Sequence, residues 1–96
     1  MFYTYVLKSK SGELYVGYTS NLKHRFIEHN QGLNLSTKKY KPWVIIYYEC
    51  CINEKDAKRR EKYLKTNKGS KVIKNMLKEY FYKTSNLYGR KIKSNF

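Results

Sequence analysis

Arg25 and His29 stand one helical turn apart in a segment whose apolar residues, Leu22, Phe26 and Leu33, recur at helical spacing. With Leu22 as origin and about 100° per residue, His29 falls roughly 20° away and Arg25 roughly 60° away on the same side. Both point toward the surface that the helix packs on or along its rim. Glu61 repeats the anomaly further on, about 40° from Ala57 and inside the stripe that Ala57 and Leu64 mark. The neighbouring Lys58, Lys62 and Lys65 take the solvated face. Moving a carboxylate out of water costs several kcal/mol unless it is paired, protonated or bound to metal. Two tyrosines, Tyr5 and Tyr15, fall on one face of the preceding extended segments. Such a set suits phosphodiester cleavage, which needs an activated water, a divalent ion on the phosphate oxygens and a cation on the phosphorane charge. One carboxylate suffices for Mg²⁺, because that ion keeps much of its hydration. Each residue also has a plainer reading: a satisfied structural histidine, an arginine reaching to water, and a glutamate paired with Arg25 or Lys65.

These side chains meet only if the elements that carry them pack together. Phe2-Tyr3-Thr4-Tyr5-Val6-Leu7 is aromatic and β-branched, Lys8 to Gly12 is a polar loop, and Leu14-Tyr15-Val16-Gly17-Tyr18 is a second such run, which predicts a β-hairpin. Pairing Leu7 with Glu13 sets Tyr5 opposite Tyr15 and Tyr3 opposite Gly17, all on one face. Thr19-Ser20-Asn21 supplies caps for a helix over residues 21 to 31, ending near Gly32. Residues 34 to 42 form a loop closed by Pro42, and Trp43 to Cys50 has the length and branching of a buried strand. Asn53 caps a helix over 54 to 66, and Lys68-Gly69-Ser70 breaks it and caps another, with Val72, Ile73, Met76, Leu77 and Tyr80 inward. The order β-β-α-β-α-α predicts an α+β fold, a small three-stranded antiparallel sheet with helices packed on it. Residues 1–83 make one domain, and 84–96 a basic, flexible tail in which Arg90, Lys91 and Lys93 could add phosphate contacts.

Ninety-six residues allow one modest core and a shallow surface site. With 21 Lys plus Arg against 7 Asp plus Glu, the net charge of +14 repels itself in a compact chain and attracts polyanions, nucleic acid first among them. Asp56 is the sole aspartate and His24 and His29 the sole histidines, which argues against a two-metal site built on several carboxylates. Adjacent Cys50 and Cys51 point to opposite faces of an extended segment and can neither share a zinc ion nor form an ordinary disulfide. They read as free thiols, one of them buried. No apolar run approaches the ~20 residues of a membrane span, and the expected setting is the cytoplasm, with no membrane partner.

Tyr3-Thr4-Tyr5 followed by Tyr15-Val16-Gly17, then Arg25, His29 and the helical Glu61, resembles the GIY-YIG nuclease domain over about residues 2 to 80. It is most similar to small stand-alone bacterial members related to the excision-repair nuclease subunit UvrC. The resemblance implies hydrolysis of nucleic acid with a single divalent metal, Mg²⁺ or Mn²⁺, and a link to DNA repair. Tyr5 and Tyr15 would contact the phosphate or the attacking water, Arg25 would stabilise the phosphorane, His29 would assist proton transfer, and Glu61 would hold the metal. Gly17, lacking Cβ, would allow close approach to the sheet face. The general base stays open, because an ordinary tyrosine titrates near ~10. Two positions depart from the family pattern: Tyr3 replaces the opening glycine, and Ile73 replaces an asparagine about twelve residues after the glutamate.

Between Lys55 and Lys74 nine Lys or Arg face only Asp56 and Glu61. Lys58, Arg59, Lys62, Lys65 and Lys68 are therefore expected to hold the nucleic-acid backbone, a mode that positions the substrate without reading bases. The expected activity is a DNA endonuclease of low sequence specificity, with structured or branched DNA among its expected substrates, working as a monomer or weak homo-oligomer. The competing expectation is a catalytically weak nucleic-acid-binding module of the same fold.

Overall fold

A computed structural model describes residues 1–88, with strands β1 (Phe2–Ser9), β2 (Leu14–Thr19) and β3 (Trp43–Cys51) and helices α1 (Leu22–Asn30), α2 (Glu54–Leu64), α3 (Asn67–Met76) and α4 (Lys78–Tyr88). The three strands form one antiparallel sheet in the order β2-β1-β3. This is the α+β architecture that the element order predicts, with one helix more than expected. Helix α4 continues to Tyr88, into the stretch read from sequence as tail, and Arg90, Lys91 and Lys93 lie outside the described residues.

Strand β1 is the middle strand, and its sequence reflects it: Thr4, Tyr5, Val6 and Leu7 are all buried. Alternation sends Tyr5 and Leu7 to one face, where they pack with Trp43, Tyr15, Leu22, Phe26 and Ile45 under α1. Val6 goes to the other face, with Val16, Leu64 and Ile73 under α2 and α3. The hairpin register differs from the expected one by two residues: Tyr5 pairs with Gly17 and Leu7 with Tyr15. The cause lies in the turn. Ser9 remains in the strand, its N–H donating to the Glu13 carbonyl at 3.0 Å and its Oγ accepting from the Glu13 N–H at 3.0 Å. Gly12, at φ +94°, then closes a tighter turn than the one expected. A slip of two preserves the face of every side chain, so Tyr5, Tyr15 and Gly17 still share one surface.

Strand β3 corrects a second expectation. Its apolar run suggests a fully buried strand, yet it is an edge strand in which Val44 and Tyr48 are each 54% exposed and only Trp43 is buried. A bulge opposite Val6 and Leu7 makes Ile46 the extra residue, so that Ile46 and Tyr47 both pack with the Val6 cluster while Ile45 joins the α1 face. Cys50 is exposed and Cys51 half-buried, so neither thiol is in the core.

The caps of the first two helices follow their sequence signals. Asn21 Oδ1 accepts from the His24 N–H at 3.0 Å and Asn53 Oδ1 from the Lys55 N–H at 2.8 Å. The third cap does not. Thr66, not Ser70, starts α3, its Oγ1 accepting from the Gly69 N–H at 3.0 Å. Gly69 is inside the helix because a Cβ there would run into the Tyr63 carbonyl and the Leu64 backbone. The chain also breaks again at Leu77, so the expected single last helix is two, and Met76 is 40% exposed rather than inward.

Candidate active site

The site is built where α1 crosses the sheet and α2 flanks it. Thr4 Oγ1 donates to the Ala57 carbonyl at 3.0 Å, and fully buried Ala57 has no bulk to hold α2 away from β1. Glu61 lies one turn further along α2, and its ion-pair partner Lys65 reaches round to the Tyr15 ring. On the other side, α1 turns His29 completely inward, at 0% exposure.

Tyr5 Oη lies 2.7 Å from His29 Nε2, and His29 Nδ1 lies 2.7 Å from Thr37 Oγ1. Tyr15 stacks obliquely on both, with ring centroids 5.0 Å from His29 and 6.4 Å from Tyr5. Gly17 makes this possible: a Cβ there would sit 2.5 Å from Tyr5 Oη and 3.1 Å from the Tyr15 ring. The close approach predicted for Gly17 is therefore made by the Tyr5 hydroxyl. Burial pushes the Tyr5 hydroxyl up to about 12; Tyr15 and Glu61 add to the rise, and the Arg25 guanidinium beside it offsets part. Burial, reinforced by the Arg25 charge, pushes His29 down to about 4, so the imidazole is neutral at neutral pH. Tyr5 thus keeps its proton in the resting protein and His29 keeps a lone pair.

Arg25 donates to Glu28 Oε1 at 3.0 Å, and this hydrogen bond holds the Glu28 carboxyl below the usual range. Glu61, its side chain 18% exposed, pairs with Lys65 Nζ at 3.0 Å, and the same ammonium lies 5.6 Å from the Tyr15 ring centroid. Of the two plain readings of Glu61, the one with Lys65 is realised. Arg25 and Glu61 each have a separate ionic partner. Tyr5, Tyr15, Arg25, His29 and Glu61 accordingly fall in one neighbourhood, drawn from two strands and two helices.

Among the described residues no three His, Cys, Asp or Glu side chains converge on a metal site. Glu61 is a single hard oxygen donor, largely withdrawn from water, whose partner Lys65 is a long exposed side chain able to swing aside for a divalent ion. Those features fit Mg²⁺ or Mn²⁺ completing its shell with water and phosphate.

A cavity of about 380 Å³ opens on the Glu61 side, lined by Tyr18, Lys55, Lys58, Arg59, Glu61 and Lys62. Lys58 Nζ sits 5.7 Å from the Tyr18 ring centroid, and Arg59 is paired with Asp56 at 2.7 Å. Lys68, on α3, is exposed and outside this cavity. Ile73 is 1% exposed in the core with Val6, Val16 and Leu64, so its side chain is remote from the tyrosine face. Sequence reasoning passed over Lys55, Tyr18, Glu28 and Thr37. The i,i+3 spacing of Glu28 from Arg25 could have announced the first-turn partner; no local signal marks Thr37.

The sequence profile described as GIY-YIG catalytic domain matches residues 1–75. UPF0213 protein SH2523 of Staphylococcus haemolyticus is 40% identical over 65 residues, which span 67% of this chain and 79% of that protein. UPF0213 protein SSP2268 of Staphylococcus saprophyticus is 36% identical over 73 residues, 75% of this chain and 89% of its own length. UPF0213 protein CPE1444 of Clostridium perfringens is 39% identical over 66 residues, 68% and 71% of the two chains. No solved structure matches the chain.

Proposed function

The chain belongs to the GIY-YIG catalytic-domain family, a nuclease family, and from that premise we propose that residues 1–83 form a metal-dependent DNA endonuclease of low sequence specificity. The observation that carries this reading is the convergence of the Tyr5–His29 hydrogen bond, the Tyr15 ring and the Glu61–Lys65 pair at one edge of the sheet. In this scheme the phosphate lies over Tyr15, between Arg25 and Lys65. Arg25 is oriented by Glu28 toward the phosphorane charge. Tyr5 accepts a hydrogen bond from the attacking water while its own proton is held by His29. Glu61 would hold the divalent ion, which would supply charge stabilisation for the phosphate oxygens and the leaving group. Lys65 then transfers from Glu61 to the phosphate, while Lys58, Arg59 and Lys62 hold the flanking backbone and Lys68 extends that grip.

The competing binding-only reading rested on Ile73. Because that side chain is buried in the core, its identity is no mark of a lost phosphate contact. Incubation with branched, single-stranded and duplex DNA in Mg²⁺ or Mn²⁺ tests the proposal. Cleavage should stop with EDTA and fall about 100-fold or more in Glu61→Ala and Arg25→Ala, the scale on which removal of a charge-stabilising group acts. Undiminished cleavage by both variants rejects the site, and DNA retention without products under any metal condition selects the binding module.

A further inference from the structure

Thr37 is fully buried in a nine-residue polar stretch, residues 34 to 42, that otherwise faces solvent except at Asn34. Its surroundings fix it tightly. The Trp43 indole N–H donates to the Thr37 carbonyl at 2.9 Å, and the Trp43 backbone is clamped in both directions by Asn30, at 2.6 and 3.0 Å. The Thr37 N–H and Oγ1 both reach the Asn34 carbonyl, at 3.1 and 3.4 Å. The residue is thus anchored on its carbonyl, its amide and its hydroxyl, with Oγ1 facing His29 Nδ1 at 2.7 Å.

Counting protons along this chain separates the two tautomers of His29. Arg25, beside the Tyr5 hydroxyl, has only donors, so the single Tyr5 proton finds its acceptor at His29 Nε2. A neutral imidazole that accepts at Nε2 carries its proton on Nδ1. That N–H needs an acceptor, and Thr37 Oγ1 supplies one, with the Asn34 carbonyl at 3.4 Å on the side to which its own proton can turn. With the opposite tautomer, Nε2–H would donate to Tyr5 Oη, and the proton of that buried hydroxyl would have no acceptor among the hydrogen bonds of the described residues.

We propose that Thr37 is a positioning residue that fixes the Nδ1–H tautomer of His29 and thereby makes Tyr5 present an oxygen lone pair, not a proton, to the attacking water. The inference rests on the nuclease reading for its catalytic consequence and on hydrogen-bond geometry for its structural part. In the reaction the water gives a proton to Tyr5 Oη as the Tyr5 proton passes to His29 Nε2, and the water oxygen forms the bond to phosphorus as the bond to the leaving oxygen breaks. His29 ends as imidazolium, still donating from Nδ1 to Thr37, so no ring flip is needed.

The decisive experiment is the ¹⁵N–¹H multiple-bond NMR spectrum of His29 at pH 7.5 in wild type, Thr37→Ser and Thr37→Val. Wild type and the serine variant should show a protonated Nδ1 and an unprotonated Nε2, with the Nε2–H form rising to a measurable fraction in the valine variant. A wild-type His29 protonated on Nε2 overturns the proposal, as does an unchanged tautomer in folded Thr37→Val. If the valine variant does not fold, the wild-type and serine spectra still decide. In the cleavage assay Thr37→Val should lower kcat about 10- to 100-fold, the range of a misaligned general acid–base group, with KM little changed and activity rescued in Thr37→Ser. Equal loss in the serine and valine variants counts against the inference. An inactive wild type with the Nδ1–H tautomer overturns the nuclease reading alone and leaves the Thr37–His29 assignment standing.

Discussion

At the scale of single residues, the site depends on keeping groups neutral that would be charged in water. His29 is fully buried with both ring nitrogens hydrogen-bonded, and burial holds it down at about 4 against an ordinary value of 6.5. Between those two pH values the unfolded chain binds a proton that the folded protein does not. Stability therefore falls as pH drops from about 6.5 toward 4 and levels off below, with a total loss on the order of 3 kcal/mol. Urea unfolding at pH 7.5, 6, 5 and 4 measures it, and His29→Gln should flatten the curve above pH 5. A wild-type curve that is flat from 7.5 to 5 would mean that the imidazole is solvated or charged in the fold. In the mechanism we propose, Tyr5, pushed up to about 12, needs an acceptor for its own proton before it can serve as a base, and His29 is in contact to supply one.

At the scale of elements, α2 and α3 show how a residue read as a breaker can be a packing device. Propensity alone says that Gly69→Ala in the interior of α3 stabilises by about 1 kcal/mol. The geometry says the opposite, because the added methyl meets the Tyr63 carbonyl and the Leu64 backbone, atoms that cannot rotate aside. Overpacking against fixed backbone costs roughly 1 to 3 kcal/mol, so Gly69→Ala should lower the urea midpoint with an unchanged m-value; a raised midpoint would refute the tight α2–α3 junction. This case also marks the limit of what could be read from sequence. Glycine in a polar run reads equally as a cap or as a contact, and only the neighbouring helix decides. The face shared by Tyr5, Tyr15 and Gly17 was legible because strand alternation survives a two-residue slip. The inward positions of His29 and Glu61 were legible because polar residues interrupt an apolar stripe. The edge placement of β3 was not, since an apolar run does not state its neighbours, and Thr37 was invisible because its contact depends on where the 31–42 loop returns over α1.

At the scale of the whole molecule, the question is how much of the +14 charge acts on a bound polyanion. At physiological ionic strength the Debye length is about 8 Å, so lysines on the far hairpin contribute to capture of the substrate more than to its retention. On the proposed function, retention falls to the cations around the Glu61 cavity: Lys55, Lys58, Arg59 and Lys62, with Lys65 alongside. Arg59 and Lys65 are already paired with Asp56 and Glu61, so three to five phosphate contacts are available. Counterion release at about 0.9 per contact then sets the slope of log K against log salt for duplex DNA at roughly −3 to −5. Lys58→Ala and Lys62→Ala should each reduce that slope by about 1, equally on unrelated sequences, because backbone contacts carry no base information. Fluorescence anisotropy in Ca²⁺ or with the Glu61→Ala variant, titrated from low to high salt, separates binding from turnover. A slope near −1, or a loss confined to one sequence, would show that the α2 cations are a solvated face and that the backbone runs elsewhere on the molecule.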